Sequence, residues 1–401
     1  MKPSEKNPKM NPEFFKNLPS EIIIEILSRL PIRSIAICKC VCKSSQYLLQ
    51  TREFVDSHLS KSVPGLVTCY EFYEYKVFEF GDELDLKGEY KPVTELDCEN
   101  SISPSVIKGS VNGLLLLHPD VSKYHDLFIS NPINRDYIDI QNKGMHNHHY
   151  FDGLVSYGFG VSEVSGEYKV VRIVQKCVRH SSTNEVRRIT KSICHVYTLG
   201  TRKWRKIEPC GLMGNKDYSI GAFLNGSLHW FVEDFKGSYS ILCFDLEEET
   251  FSTFSLPSLL TDRETGLQVL VALGDYLCIS DSAYQEEVAF WLMKEYGDES
   301  SWTKEFVIRK SPDFVCAYGQ YAELVIPIKV FENGDVLVTW QDLKMFYYSN
   351  ETKTTKRMDA FGRFDGLTPM YAMPFTPSFL SLEKSFPAED VTSFSSFDYP
   401  F

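Results

Sequence analysis

The stretch Leu224-Asn225-Gly226-Ser227-Leu228-His229-Trp230, followed by Phe244-Asp245-Leu246-Glu247-Glu248-Glu249-Thr250-Phe251, decides the fold of this chain. Asn-Gly between apolar runs is the strongest short signal for a two-residue hairpin turn, because both residues tolerate positive φ. In the second segment two aromatics seven residues apart flank a loop of turn formers, so they should meet across a second hairpin. Two hairpins in succession make one four-stranded sheet.

Working outward, the second pattern returns at Tyr197-Thr198-Leu199-Gly200-Thr201-Arg202-Lys203-Trp204 and, with one aromatic, from Ser130 to Tyr137. Tyr348 to Thr355 is a degenerate copy, and Leu292 to Trp302 has a longer loop. The first pattern returns at Val111-Asn112-Gly113-Leu114, Leu273-Gly274-Asp275-Tyr276 and Glu332-Asn333-Gly334-Asp335-Val336. The unit recurs at roughly 45–65 residues, the size of a propeller blade. From Leu66 to about Ala360 there is room for about six such units. A sandwich of two sheets is the competing architecture, and the repetition favours a propeller. Trp204, Trp230, Trp302 and Trp340 are then expected in blade cores and not in a ligand cage.

The N-terminal region reads differently. Ile22, Ile23, Ile26, Leu27 and Leu30 fall on one helical stripe, with Ile24 off it. Pro19 and Glu21 suit a first turn, and Pro31 stops the helix. Apolar segments at Ile32 to Cys42, Ser44 to Leu49, and Phe54 to Leu59 add two or three more short helices. So few residues cannot bury that much apolar surface alone, so the module needs a partner or the rest of its own chain. The expected class is therefore α+β multidomain: a small three-helix module, then an all-β, six-bladed, kelch-like propeller. The expected boundaries are a disordered tail over 1–14, helices over 15–60, the β-domain over 66–382 and a flexible tail over 383–401.

Composition bounds the function. The net charge is −12, yet residues 1–60 hold nine Lys/Arg against six Asp/Glu, so the body carries −15. An acidic body argues against nucleic acid as the main partner. Eleven cysteines without paired spacing fit reduced thiols. No apolar leader or membrane-length run is present, and the expected location is cytoplasm, nucleus or both.

Leu18-Pro19, then Ile26-Leu27-Ser28-Arg29-Leu30-Pro31-Ile32 and Val41-Cys42-Lys43-Ser44, resemble the F-box of plant F-box proteins. Gly109 to Leu115, Asn131-Pro132, Tyr157-Gly158-Phe159-Gly160, Glu167 to Arg172, Met293 to Gly297 with Ser301 to Lys304, and Pro377 to Leu382 resemble the F-box-associated interaction domain of the same family. These motifs occur in order along nearly the whole chain. The resemblance implies the substrate receptor of an SCF ubiquitin ligase, with no catalytic residues and no cofactor. It further implies docking of a Skp-family adaptor, and through it a cullin and a RING subunit, by Leu18, Pro19, Ile22, Ile26, Leu27, Leu30, Pro31, Ile35, Val41 and Cys42. The chain departs from the family at Ser45, where a Trp is usual, and losing that aromatic weakens such a face. That departure keeps open a rival class, an interaction module with a vestigial F-box.

Loops at one rim of a propeller are the usual contact surface. Gln141 to Asp152 and the basic stretch Arg179 to Lys191 are the candidate contacts for a target protein. Cys38, Cys40 and Cys42 lack a second ligand pair, and the His146 to His149 loop reads as solvated, so no metal site is expected. A propeller enzyme of the kelch kind would need a metal or covalent cofactor site, and no dinucleotide loop, Walker motif or Gly-x-Ser-x-Gly elbow is found.

Overall fold

The Asn-Gly turns set the register of the sheets. At Asn112-Gly113 (φ +50° and +82°) and Asn225-Gly226 (φ +49° and +65°) both residues are left-handed. They close the pairs Val111↔Leu114 and Leu224↔Ser227. The seven-residue spacings resolve as cross-strand pairs in every copy: Tyr197↔Trp204, Phe244↔Phe251, Ser130↔Tyr137 and Tyr348↔Thr355. Each of these loops has a left-handed residue at the same place, namely Arg202, Glu249, Arg135 and Lys353, and the first loop has a second at Gly200. The rings of Phe244 and Phe251 lie 4.8 Å apart and those of Tyr197 and Trp204 5.3 Å apart.

The structure is a computed structural model. It describes residues 18–394 apart from 42, 71–73, 82–83, 85–89, 99–104, 120–126, 141–152, 180–185, 209–213, 216–219, 234–237, 261–267, 283–286, 310–323, 341–343, 359–360 and 362–369. Four helices lead: α1 (Ser20–Leu27), α2 (Ile32–Val41), α3 (Lys43–Leu48) and α4 (Arg52–Leu59). Six antiparallel sheets follow, as expected for a six-bladed propeller. Blade one holds β1 (Gly65–Tyr70), β2 (Glu74–Phe78) and β3 (Thr94–Asp97). Blade two holds β4 (Ser105–Val111), β5 (Leu114–Pro119), β6 (Leu127–Asn131) and β7 (Asp136–Ile140). Blade three holds β8 (Gly153–Val161), β9 (Tyr168–Arg179), β10 (Val186–Thr198) and β11 (Trp204–Ile207). Blade four holds β12 (Gly214–Asn215), β13 (Ala222–Leu224), β14 (Ser227–Glu233), β15 (Tyr239–Asp245) and β16 (Phe251–Ser255). Blade five holds β17 (Gln268–Leu273), β18 (Tyr276–Asp281), β19 (Glu287–Met293) and β20 (Trp302–Arg309). Blade six holds β21 (Val325–Val330), β22 (Val336–Trp340), β23 (Lys344–Ser349) and β24 (Thr354–Met358). The ring closes when β25 (Met370–Phe375) pairs with β1, giving blade one its fourth strand from the far end of the chain.

Side-chain alternation explains the Tyr157-Gly158-Phe159-Gly160 motif. Tyr157 and Phe159 pack against Val111, Leu114 and Ile129 of blade two. The two glycines face blade four instead. A Cβ on Gly158 would lie 2.7 Å from the Trp230 ring, and one on Gly160 2.5 Å from Phe223. Trp230 is buried and donates its indole N–H to the Tyr157 carbonyl at 3.2 Å. Trp340 is also buried, whereas Trp204 and Trp302 are half-buried at blade edges. A buried ion network joins blades three and four. Lys169 contacts Glu249 at 3.0 Å and the Leu246 carbonyl at 2.6 Å, while Arg205 holds Glu249 from outside at 2.5 Å.

Three expectations need correction. The stretch 383–401 is not a free tail as far as residue 394: α5 (Leu382–Ser385) docks on the propeller, and β26 (Val391–Ser393) adds a fifth strand to blade two beside β7. Phe394 is buried against Tyr137, with rings 4.7 Å apart. Next, the described part of Arg179 to Lys191 is strand, with Val186↔Arg179 and Lys191↔Lys176 in register. Finally, the buried side of α1 is the one the stripe excluded. Ile24 is 4% exposed and packs on Phe54, while Ile22 and Ile26 face solvent. The core of the module lies toward α4 and the C-terminal segment, and that packing overrides the widest apolar arc.

Candidate functional site

In each blade the strands alternate in direction, so the first and third turns emerge on one side and the remaining connections on the other. The helical module sits on the side of the Asn112-Gly113 and Asn131 to Arg135 turns. What fastens it there is a strap, residues 376–386. Asn131, fully buried, donates its side-chain amide to the Ser378 and Leu380 carbonyls at 3.1 and 2.9 Å, and its Oδ1 accepts from the Ile133 N–H at 2.9 Å. Asn134 donates to the Leu380 carbonyl at 2.9 Å, and the Ser378 hydroxyl donates to the Asn112 carbonyl at 2.7 Å. Gly113 makes room, since a Cβ there would stand 2.2 Å from Ser378 Oγ.

The strap then splits its apolar side chains between the two units. Phe379 enters the helical core with Ile24, Ile32, Ile35, Leu49 and Phe54, while Leu380, Leu382 and Phe386 join the core between blades two and three. Lys384 donates to Gln50 Oε1 at 2.7 Å and lies 5.1 Å from the Tyr47 ring centre. The start of α2 is held from blade one: both Glu79 carboxylate oxygens accept from the Ile32 N–H, at 2.9 and 3.1 Å. Burial raises the Glu79 carboxyl above its ordinary range, opposed by that N–H and by Arg33. Arg33 donates to the Pro92 carbonyl at 2.7 Å. Beside the strap, burial pushes the Asp136 carboxyl up to about 7, with Lys39 pulling the other way.

Fixing the module in this way leaves four of its large apolar side chains open to solvent. Ile22 (47%) and Ile26 (44%) on α1 are exposed, as are Ile37 (66%) on α2 and Tyr47 (69%) on α3. Pro19 caps α1 and, like Pro31, is exposed; Leu18, Leu27 and Leu30 are half-buried. Ile35 does not belong to the open face, because it is fully buried in the module's own core. Cys42 and the side chain of Val41 lie outside the described residues. Ile37 and Tyr47 escaped the sequence reading because neither lies on the periodic apolar stripe. Ser45 is half-buried in α3.

The candidate target contacts fall largely outside the described residues. The strand ends that flank them, Ile140 and Gly153 on β7 and β8 and Arg179 and Val186 on β9 and β10, lie on the side away from the helices. Residues 141–152 and 180–185 lie outside the described residues. Among the described residues there is no group of three His, Cys, Asp or Glu side chains placed to hold a metal, and no helix long and apolar enough to cross a membrane. Cys38 is half-buried and Cys40 exposed on α2.

Comparison with known proteins gives the same division. A profile for the F-box domain matches residues 15–56, and one for the F-box associated beta propeller domain matches residues 66–369. F-box protein CPR1 of Arabidopsis thaliana is 27% identical over 372 residues, which is 84% of this chain and 83% of that protein. F-box protein At3g07870 is 27% identical, with 83% and 85% covered, and F-box/kelch-repeat protein At3g23880 is 28% identical, with 75% and 81% covered, both from the same plant.

Proposed function

Because this chain belongs to the F-box proteins that carry an F-box associated β-propeller, we propose that it is the substrate-recognition subunit of an SCF-type ubiquitin ligase. The F-box docks a Skp-family adaptor, which ties the protein to a cullin and a RING subunit in the cytoplasm or nucleus. The propeller holds a target protein for ubiquitination and degradation. The mechanism is proximity: holding target and charged conjugating enzyme on one scaffold replaces a diffusive encounter by a high effective concentration.

The observation that carries this reading is the arrangement of the helical module. Its inner side is spent on the strap and on Glu79, while Ile22, Ile26, Ile37 and Tyr47 stay exposed on helices too short to be stable alone. Several exposed large apolar side chains on so small a module support a protein interface there. The likeness to F-box proteins supports a Skp-family adaptor as the partner of that interface, and the strap fixes the helical module to one side of the propeller.

Co-purification tests it. The full chain should recover a Skp-family adaptor, and Ile22→Asp with Ile26→Asp should abolish recovery while the propeller stays folded. Failure of the wild-type chain to recover the adaptor, or recovery undiminished by the double variant, overturns the reading.

A further inference from the structure

We propose that the F-box is docked by the closure seam of the propeller, so that its adaptor face is held in place only while the ring is shut. The bearing of this coupling on an adaptor rests on the ligase reading above; the coupling itself does not.

The ring is closed at blade one, where β25 pairs with β1 from Gly65↔Phe375 to Tyr70↔Met370. Closure also packs blade one on blade six. Leu66, Phe78 and Phe80 of the first share one buried core with Ile328, Phe331 and Leu337 of the second. This seam is where opening is expected, because it joins ends of the β-domain about 300 residues apart, whereas each blade is built from local hairpins.

Two strands of the seam blade run directly into holds on the F-box. The residue after β2 is Glu79, whose carboxylate takes the first N–H of α2. Phe379, four residues beyond the end of β25, sits in the helical core. Arg33 adds a third hold, donating to the Lys91 and Pro92 carbonyls ahead of β3 at 3.3 and 2.7 Å. α4 is held elsewhere, by Val55 in the core between blades two and three, and there the strap supplies Leu380, Leu382 and Phe386.

Three consecutive residues tie the F-box to the far side of the seam. Glu79 holds α2, Phe80 places its ring 6.4 Å from that of Phe331, and the Gly81 carbonyl accepts from Lys329 Nζ at 3.1 Å. Lys329 also lies 5.0 Å from the centre of the Phe80 ring. Blade six moving off blade one therefore pulls on Phe80 and Gly81, and the Glu79 cap is one peptide unit away, about 3.8 Å. The strap is joined to β25 just as tightly. Pro374 and Pro377 flank Phe375 and Thr376, and each fixes its own φ and favours extended backbone in the residue before it. With so stiff a link, β25 leaving β1 drags on Ser378 and Phe379.

Native-state hydrogen exchange on the full chain tests the coupling. Leu337→Ala opens a cavity in the seam from the blade-six side, within a core that contains no F-box residue. Ile279→Ala makes a similar cavity in blade five, in a core with neither seam nor F-box residues. In Leu337→Ala the amides of β1 and β25 and those of α1 and α2 should lose protection together, by at least about tenfold. In Ile279→Ala blade five should lose protection while the F-box helices keep theirs. Lys329→Ala cuts the same seam more mildly; it should give the Leu337→Ala pattern at smaller amplitude, and it carries the test if Leu337→Ala does not fold. F-box protection that stays unchanged in the seam variants, or that falls equally in Ile279→Ala, overturns the inference. Adaptor recovery is measured on the same preparations. Coupled exchange in a chain that recovers no adaptor refutes the ligase reading alone; adaptor recovered with F-box protection blind to the seam refutes the coupling alone.

Discussion

Phe379→Ala should loosen the F-box without unfolding the propeller. The ring is 3% exposed and lies in the helical core among Ile24, Ile32, Ile35, Leu49 and Phe54. Truncating a buried Phe costs about 3–5 kcal/mol through lost transfer energy and the cavity left behind. At the usual scale of stability per residue, a module this small is worth about 2–6 kcal/mol on its scaffold. The loss therefore consumes most of it. Hydrogen exchange reads the effect directly: amides of α1, α2 and α4 should exchange about a hundredfold faster for a loss near 3 kcal/mol, since about 1.4 kcal/mol is tenfold. Amides of β14, β15 and β19, distant from the strap, should be unchanged. Lys39 also lies 5.0 Å from this ring, a contact worth about 0.5–1 kcal/mol that the variant removes as well. Uniform acceleration across all six blades, or unchanged helices, would refute the idea that the strap separately supports the F-box.

Three further outcomes follow from the packing. Gly113→Ala places a Cβ 2.2 Å from Ser378 Oγ at a φ of +82°, so it should displace the strap and mimic Phe379→Ala in the same exchange experiment. His229 is fully buried, its Nδ1 against the Ala222 carbonyl and its Nε2 2.9 Å from the Tyr296 hydroxyl, and burial pushes its imidazole down to about 4. The unfolded chain binds a proton that the folded chain refuses, so this site's stability is full above about pH 6.5 and falls as pH drops toward 4, by up to about 3 kcal/mol. His229→Gln should flatten that acid limb in urea titrations run across pH. Lys169→Ala leaves Glu249 partly buried with only Arg205 and should cost about 3 kcal/mol, seen as a lower unfolding midpoint that Arg205→Ala does not add to fully.

The propeller was legible because its turns are local. Asn225-Gly226 and the aromatic pair Phe244 and Phe251 fix two hairpins within about thirty residues, and repetition multiplies the signal. The closing strand β25 and the added strand β26 were not, since their pairing partners β1 and β7 lie hundreds of residues away and no turn announces them. The F-box helices were legible from their spacing, but not their orientation: Ile22, Ile24 and Ile26 are equally apolar, and only Phe54 and Phe379 decide that Ile24 turns inward. The short motifs around Asn112, Asn131 and Ser378 read as separate family marks, yet they form one clasp. Hydrogen bonds across about 250 residues carry no periodicity, so sequence shows the parts and not the joint.

In the proposed ligase the exposed face of α1 meets the adaptor while the opposite side of the propeller stays free for a target. Photo-cross-linking tests it most directly, with p-benzoylphenylalanine in place of Ile26 in one protein and in place of Lys191 in another. Position 26 should cross-link to the adaptor and position 191 should not. A cross-link from 191, or an assembled complex in which position 26 captures no adaptor, would contradict it.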